Sequence, residues 1–314
     1  MAHRLLSGGV KSRLAVAALG AFLAVEPVWG CATMNTTAVQ SRIVSMLDAS
    51  GRETAEKALT SAMDHAPPDS RGAFERLPEN LEAGRRLARE LGLEGNDVDA
   101  LNFGYAISSV GEGMTRSLNR ELGIRFFMRY SRRTLLEVHA SLASSSPDPL
   151  LLVAFNKSDW NGAFYREGMN LEALLPHYKV LLVEVENEGQ LYSRMRDISA
   201  AHGRISAMVI GGHGLPESIQ LGAQDEAGRI DTSDGTELEG VRGTLIAHPL
   251  VVLVSCSTGQ SDKAVGALIS RSWNADLFAP VTPSSRTVFH LGADGSIERV
   301  SYDVETRRFA ASGG

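Results

Sequence analysis

The second half of this 314-residue chain carries four near-continuous apolar runs of five or six residues, at 150–155, 180–185, 205–210 and 250–254. No other feature limits the fold as tightly. Each run has the length of a strand and is rich in Val, Ile and Leu, which is the pattern of strands covered on both faces. A helical stretch at 191–201 separates the second run from the third, and another at 263–273 separates the fourth from Leu277-Phe278. Strands alternating with crossover helices specify a mostly parallel sheet with helices on its faces. The segments 287–291 and 297–302, joined through Asp294-Gly295, read as a terminal β-hairpin.

Ser144-Ser145-Ser146-Pro147-Asp148-Pro149 separates this α/β segment from what precedes it. Residues 36–143 read as helical. Val39, Ile43 and Met46 share one face, as do Leu87 and Leu91, Leu118 and Leu122, and Leu135, Val138 and Leu142. Pro67-Pro68 interrupts the helices, and Gly92, Gly111, Gly113 and Gly123 mark ends or bends. The Arg-rich stretch 125–133, interleaved with Phe126, Phe127 and Tyr130, reads as a helix with a solvated basic face. The expected organisation is a leader over 1–31, a helical region over 32–143 and an α/β domain over 150–308.

The leader has the layout of an export signal. Arg4, Lys11 and Arg13 precede a 12-residue apolar run at 14–25, and Gly30 and Ala32 flank a cleavage point. That run is too short to span a bilayer as a helix. Val28-Trp29-Gly30-Cys31 is similar to a bacterial lipobox, in which the Cys is lipidated, although Glu26, Pro27 and Trp29 depart from the usual pattern. Lipidation at Cys31 and ordinary signal cleavage both imply export, to the periplasm or the outer membrane; an unprocessed apolar tail is the third alternative. With Cys31 in or beside the leader, Cys256 is left without a disulfide partner. A lone thiol in an oxidising compartment is either buried or used.

A net charge of −6 and a pI near 5.8 supply no basic footprint for nucleic acid. The eight histidines show no metal-ligand spacing, and no cofactor is expected. A Gly-x-Ser-x-Gly elbow, a Walker-type loop and a complete dinucleotide fingerprint are all missing. Chemistry is instead expected just past the carboxyl ends of the sheet strands. The third run leads into Gly211-Gly212-His213-Gly214 and the fourth into Ser255-Cys256-Ser257-Thr258-Gly259. On neighbouring strands these would bring an imidazole and a thiol together, the base and nucleophile of covalent catalysis. The glycines let backbone N–H groups approach a reacting carbonyl. Alone, a strand-end Cys is commonly a small buried hydrophobe and a His among glycines a loop residue. Their joint placement, 43 positions apart, is what points to catalysis.

A hydrophobic strand leading into His-Gly, followed by a hydrophobic strand leading into a small residue and Cys, resembles the caspase-like cysteine peptidases. That clan includes caspases, legumains, gingipains, clostripain and CHAT-domain peptidases, and the His of caspases lies about 50 residues before the Cys. The resemblance covers about 150–280 and is nearest to the bacterial caspase-like and CHAT-domain members. It implies a caspase-like sheet and a cysteine endopeptidase acting on protein or peptide substrates. Cys256 would be the nucleophile, His213 the general base and then acid, and the backbone N–H groups of Gly214 and Cys256 the oxyanion hole, with a thioester acyl-enzyme between the two half-reactions. Asp159, after the first strand, falls where clan members place a specificity residue. Ser255, the second candidate specificity residue, stands where metacaspases often carry Asp, and the Gln-Ala-Cys signature of caspases is missing, so neither pocket is matched. The acidic stretch 224–242, with Asp225, Glu226, Asp231, Asp234, Glu237 and Glu239 against Arg229 and Arg242, suggests a basic residue before the scissile bond. The rival expectation is a catalytically idle peptidase-like fold serving as a binding or signalling module.

Overall fold

The structure is a computed structural model that describes residues 36–49, 51–157, 164–165, 170–222 and 228–312. The leader, Cys31 included, lies outside the described residues. Residues Asn35–Gly314 form one compact unit, so the helical region and the α/β region share a core.

Six helices precede the sheet: α1 (Thr36–Ser45), α2 (Arg52–Asp64), α3 (Pro68–Glu90), α4 (Asp97–Val110), α5 (Glu112–Leu122) and α6 (Arg132–Ala143). Pro68 opens α3 at a position where a missing N–H costs nothing. Asn96 caps α4 by accepting from Asp99 N at 3.0 Å, and Ser131 caps α6 by accepting from Thr134 N at 3.1 Å. Helices α3 and α4 touch backbone to backbone: a methyl group on Gly84 would stand 2.5 Å from the carbonyl oxygen of Ala100. Glycine is what permits that approach. The face read through Val39, Ile43 and Met46 closes differently at its end. Met46 lies beyond α1 and is 40% exposed, while Leu47 is buried.

Among the described residues the central sheet has six strands in the order β2-β1-β3-β7-β8-β11. These are β1 (Leu150–Asn156), β2 (Lys179–Val185), β3 (Ile205–Gly211), β7 (Leu245–Val254), β8 (Asp276–Pro280) and β11 (Thr306–Phe309). All neighbours are parallel except β8 and β11, which are antiparallel. Every residue of β1 and β2 is buried, as apolar strands covered on both faces require. Helices α7 (Glu188–His202) and α9 (Val265–Trp273) connect the strands, and a short α8 (Gly235–Gly240) precedes β7. The strands β4 (His213–Leu215), β5 (Ser218–Gln220) and β6 (Arg229–Asp231) form a small antiparallel sheet, and β9 (Thr287–Leu291) pairs with β10 (Ile297–Tyr302) as a hairpin. The chain leaves β1 for β2 on one side and returns to place β3 on the other, which creates a crevice at the carboxyl ends of the strands.

Two readings change. Strand β7 begins five residues before the apolar run, because residues 246–249 bulge out opposite a single residue of β3 between the pairs Ile205–Leu245 and Ala207–Leu250. The stretch 125–133 is not a helix with a solvated basic face. Phe127–Arg129 is one turn of 3-10 helix, and Phe126, Phe127, Arg129 and Tyr130 are all buried. Arg129, fully buried, donates to the carbonyl oxygen of Asn156 at 2.8 Å and pairs with Glu184 at 3.4 Å. Glu184, on β2, also accepts from the amides of Arg125 at 2.7 Å and Phe126 at 3.0 Å and from the Tyr130 hydroxyl at 3.1 Å. A buried charge needs partners of this kind. The stretch is the polar seam that joins the helical layer to the sheet.

Candidate active site

Strands β3 and β7 are parallel neighbours whose last paired residues are Gly211 and Val254. His213 and Cys256 each lie two residues beyond that pair, so the in-register ladder delivers both to the same end of the sheet. Two contacts join the exits. Gly212 N donates to Ser255 Oγ at 3.1 Å in a buried hydrogen bond. The Gly214 Cα packs on the Cys256 backbone: a methyl group there would stand 2.5 Å from the Cys256 amide nitrogen and closer still to its carbonyl oxygen. Only glycine allows His213-Gly214 and Ser255-Cys256 to lie this close.

His213 is half-buried and opens β4, where it pairs with Gln220. Its ring meets Phe164 edge to face, with centroids 5.5 Å apart. Phe164 in turn lies 5.8 Å from Phe155 of β1, and the Arg129 guanidinium stands 5.9 Å over its face. The aromatic support of the imidazole therefore reaches back to the polar seam under the helical layer.

Cys256 is a half-buried free thiol. Ser257, immediately after it, has φ +61°, a left-handed conformation that a residue with a Cβ adopts only under local constraint. The turn is held by Thr258 Oγ1 donating to Ser255 O at 2.8 Å, by Gly259 N donating to Pro280 O at 2.9 Å and by Gly266 N donating to Thr258 O at 3.1 Å. Loop 282–286, after β8, forms the adjacent wall. Ser257 N donates to Thr282 O at 3.4 Å, and the Cys256 thiol to Ser284 O at 3.8 Å.

The expected site residues are distributed unevenly. His213, Gly214, Ser255 and Cys256 come together at one edge of the sheet. Ser255 is buried, and its hydroxyl supports the junction of the two exits rather than lining a cleft. Asp159, Asp225 and Glu226 lie outside the described residues. Within the acidic stretch, Asp231 is engaged by Arg229 at 3.0 Å and by Ser233. Asp234 sits beside Glu188 of α7. Burial, reinforced by Asp234 and Glu237, pushes the Glu188 carboxyl up from 4.5 to about 7, and burial also raises Asp234. Part of the acidic rim therefore faces itself rather than the crevice. Among the described residues no group of three or more His, Cys, Asp or Glu side chains is arranged to hold a metal ion, and no helix is long and apolar enough to cross a membrane.

Phe164 and Ser284, which touch the imidazole and the thiol, were not anticipated from sequence. Neither lies in a motif, and only the folded sheet brings them to the strand ends. Comparisons with protein-family models, with curated proteins and with solved structures returned no match.

Proposed function

We propose that this chain is a caspase-like cysteine endopeptidase whose dyad is His213 and Cys256. The observation that carries the reading is the backbone contact between Gly214 and Cys256 at the carboxyl ends of two neighbouring parallel strands. In this reading His213 takes the thiol proton as Sγ attacks the scissile carbonyl carbon. The Gly214 and Cys256 amides receive the oxyanion, and a missing donor there costs about 3 kcal/mol of barrier. The tetrahedral intermediate then collapses as His213 passes the proton to the leaving amine. Water, deprotonated by His213, hydrolyses the thioester and restores the thiol. The half-exposed position of Cys256 is consistent with a substrate reaching it.

The substrate is a protein or peptide, with Arg or Lys before the scissile bond and Asp159 as a specificity residue. Export, with a lipid on Cys31 as a membrane anchor, completes the proposal. Cleavage of a peptide library by the purified wild type, by Cys256→Ala and by His213→Ala tests it. Both variants are expected to lose cleavage by a thousandfold or more, and the wild-type products to end in Arg or Lys. Cleavage retained by Cys256→Ala would overturn the assignment. Products without a basic terminus would remove the proposed preference alone.

One observation favours a second reading, an idle peptidase-like binding module: the thiol hydrogen-bonds to the Ser284 carbonyl, as an unused cysteine does. In that case wild type, Cys256→Ala and His213→Ala would all fail to cleave.

A further inference from the structure

We propose that Asp303 is a positioning residue of this site, clamping loop 282–286 against Cys256 so that the Ser284 carbonyl is held on the thiol and restrains its attack. Asp303 directly follows β10, and its carboxylate gathers the loop. It accepts from Ser284 Oγ at 2.6 Å, from Ser285 N at 3.0 Å, from Ser285 Oγ at 2.6 Å and from Arg286 N at 3.3 Å. Its position is fixed from below. The buried hydroxyl of Tyr302 donates to Leu253 O at 2.8 Å and lies 3.1 Å from Phe278 O, within the two strands β7 and β8. The tie therefore runs from the sheet through Tyr302 and Asp303 to the loop, and from the loop to the sulfur.

The chemical consequence follows from the direction of the last bond. A thiol that donates to this carbonyl must give up that hydrogen bond before its sulfur can reach an electrophile. The clamp therefore restrains reactivity until the loop shifts. The catalytic consequence rests on the proposed peptidase reading, whereas the clamp itself does not.

The test is the rate of iodoacetamide alkylation at pH 7, followed at the Cys256 peptide of the full chain by mass spectrometry. Asp303→Ala is expected to raise the rate about fivefold, the weight of roughly one hydrogen bond, with the melting temperature little changed. Ser285→Ala keeps the Asp303 charge while removing one tie, and is expected to raise the rate by less. That separates the clamp from the charge. A folded Asp303→Ala protein alkylated at the wild-type rate would overturn the proposal, as would a faster rate in Asp303→Ala with no increase in Ser285→Ala. Should Asp303→Ala not fold, Asp303→Asn and Ser285→Ala carry the comparison with the same two outcomes. Failure of the peptidase reading is distinguishable: wild type would cleave no peptide while the difference in alkylation rate persists.

Discussion

Gly214 is the residue on which the geometry of the site turns. Every L side chain has a Cβ, and at this position it would run into the peptide of Cys256, whose atoms cannot rotate away. Gly214→Ala is therefore expected to destabilise the protein by roughly 1–3 kcal/mol, the range for overpacking. The larger effect is expected on cleavage, because forcing the two exits apart separates the imidazole, the thiol and both proposed oxyanion donors. Thermal melting and peptide cleavage, measured on the same sample, check both parts. A Gly214→Ala variant that cleaved peptide as fast as wild type would show that the close contact is not needed for the proposed chemistry. The meeting of these residues at one end of the sheet was legible in the sequence because each stands at the end of an apolar strand. The clamp was not legible: Asp303 lies 19 positions from Ser284, and nothing local marks either as a partner of Cys256.

At the scale of elements, legibility followed the length of the signal. The four apolar runs form β1, β2, β3 and the end of β7, because a strand buried on both faces must be apolar throughout. Strands β4, β5 and β6, three residues each, are too short to display a period, and β11, Thr-Arg-Arg-Phe, reads as a polar tail. The 125–133 stretch was misread for a different reason. Its arginines look solvated unless the acceptor is known, and Glu184 lies 55 positions from Arg129. That seam makes a prediction. Arg129→Met would leave Glu184 charged and buried with fewer donors, so a loss of about 3–5 kcal/mol is expected, a large share of a domain's stability. Its melting temperature should fall by many degrees, and the double variant Arg129→Met/Glu184→Gln should recover part of the loss. Equal stability of Arg129→Met and wild type would contradict the account of the seam.

At the largest scale, residues Asn35–Gly314 form one compact unit, in which the helical layer, the sheet and the proposed site share supports. Its pH response carries the mark of the Glu188 and Asp234 pair. Glu188 binds its proton more tightly in the folded chain, so the stabilising contribution is complete below about pH 4.5 and drains away as pH rises through 7. Glu188→Gln should accordingly be more stable than wild type at pH 8 and equal to it near pH 4.5, measured by chemical denaturation; the same difference at both values would contradict this. The central claim, that imidazole and thiol act as one catalytic unit, is tested most directly by covalent labelling with a peptidyl acyloxymethyl ketone. The account predicts a single adduct on Cys256 in wild type, slowed at least a hundredfold in a folded His213→Ala variant. Labelling of Cys256 at the same rate with and without His213 would contradict it.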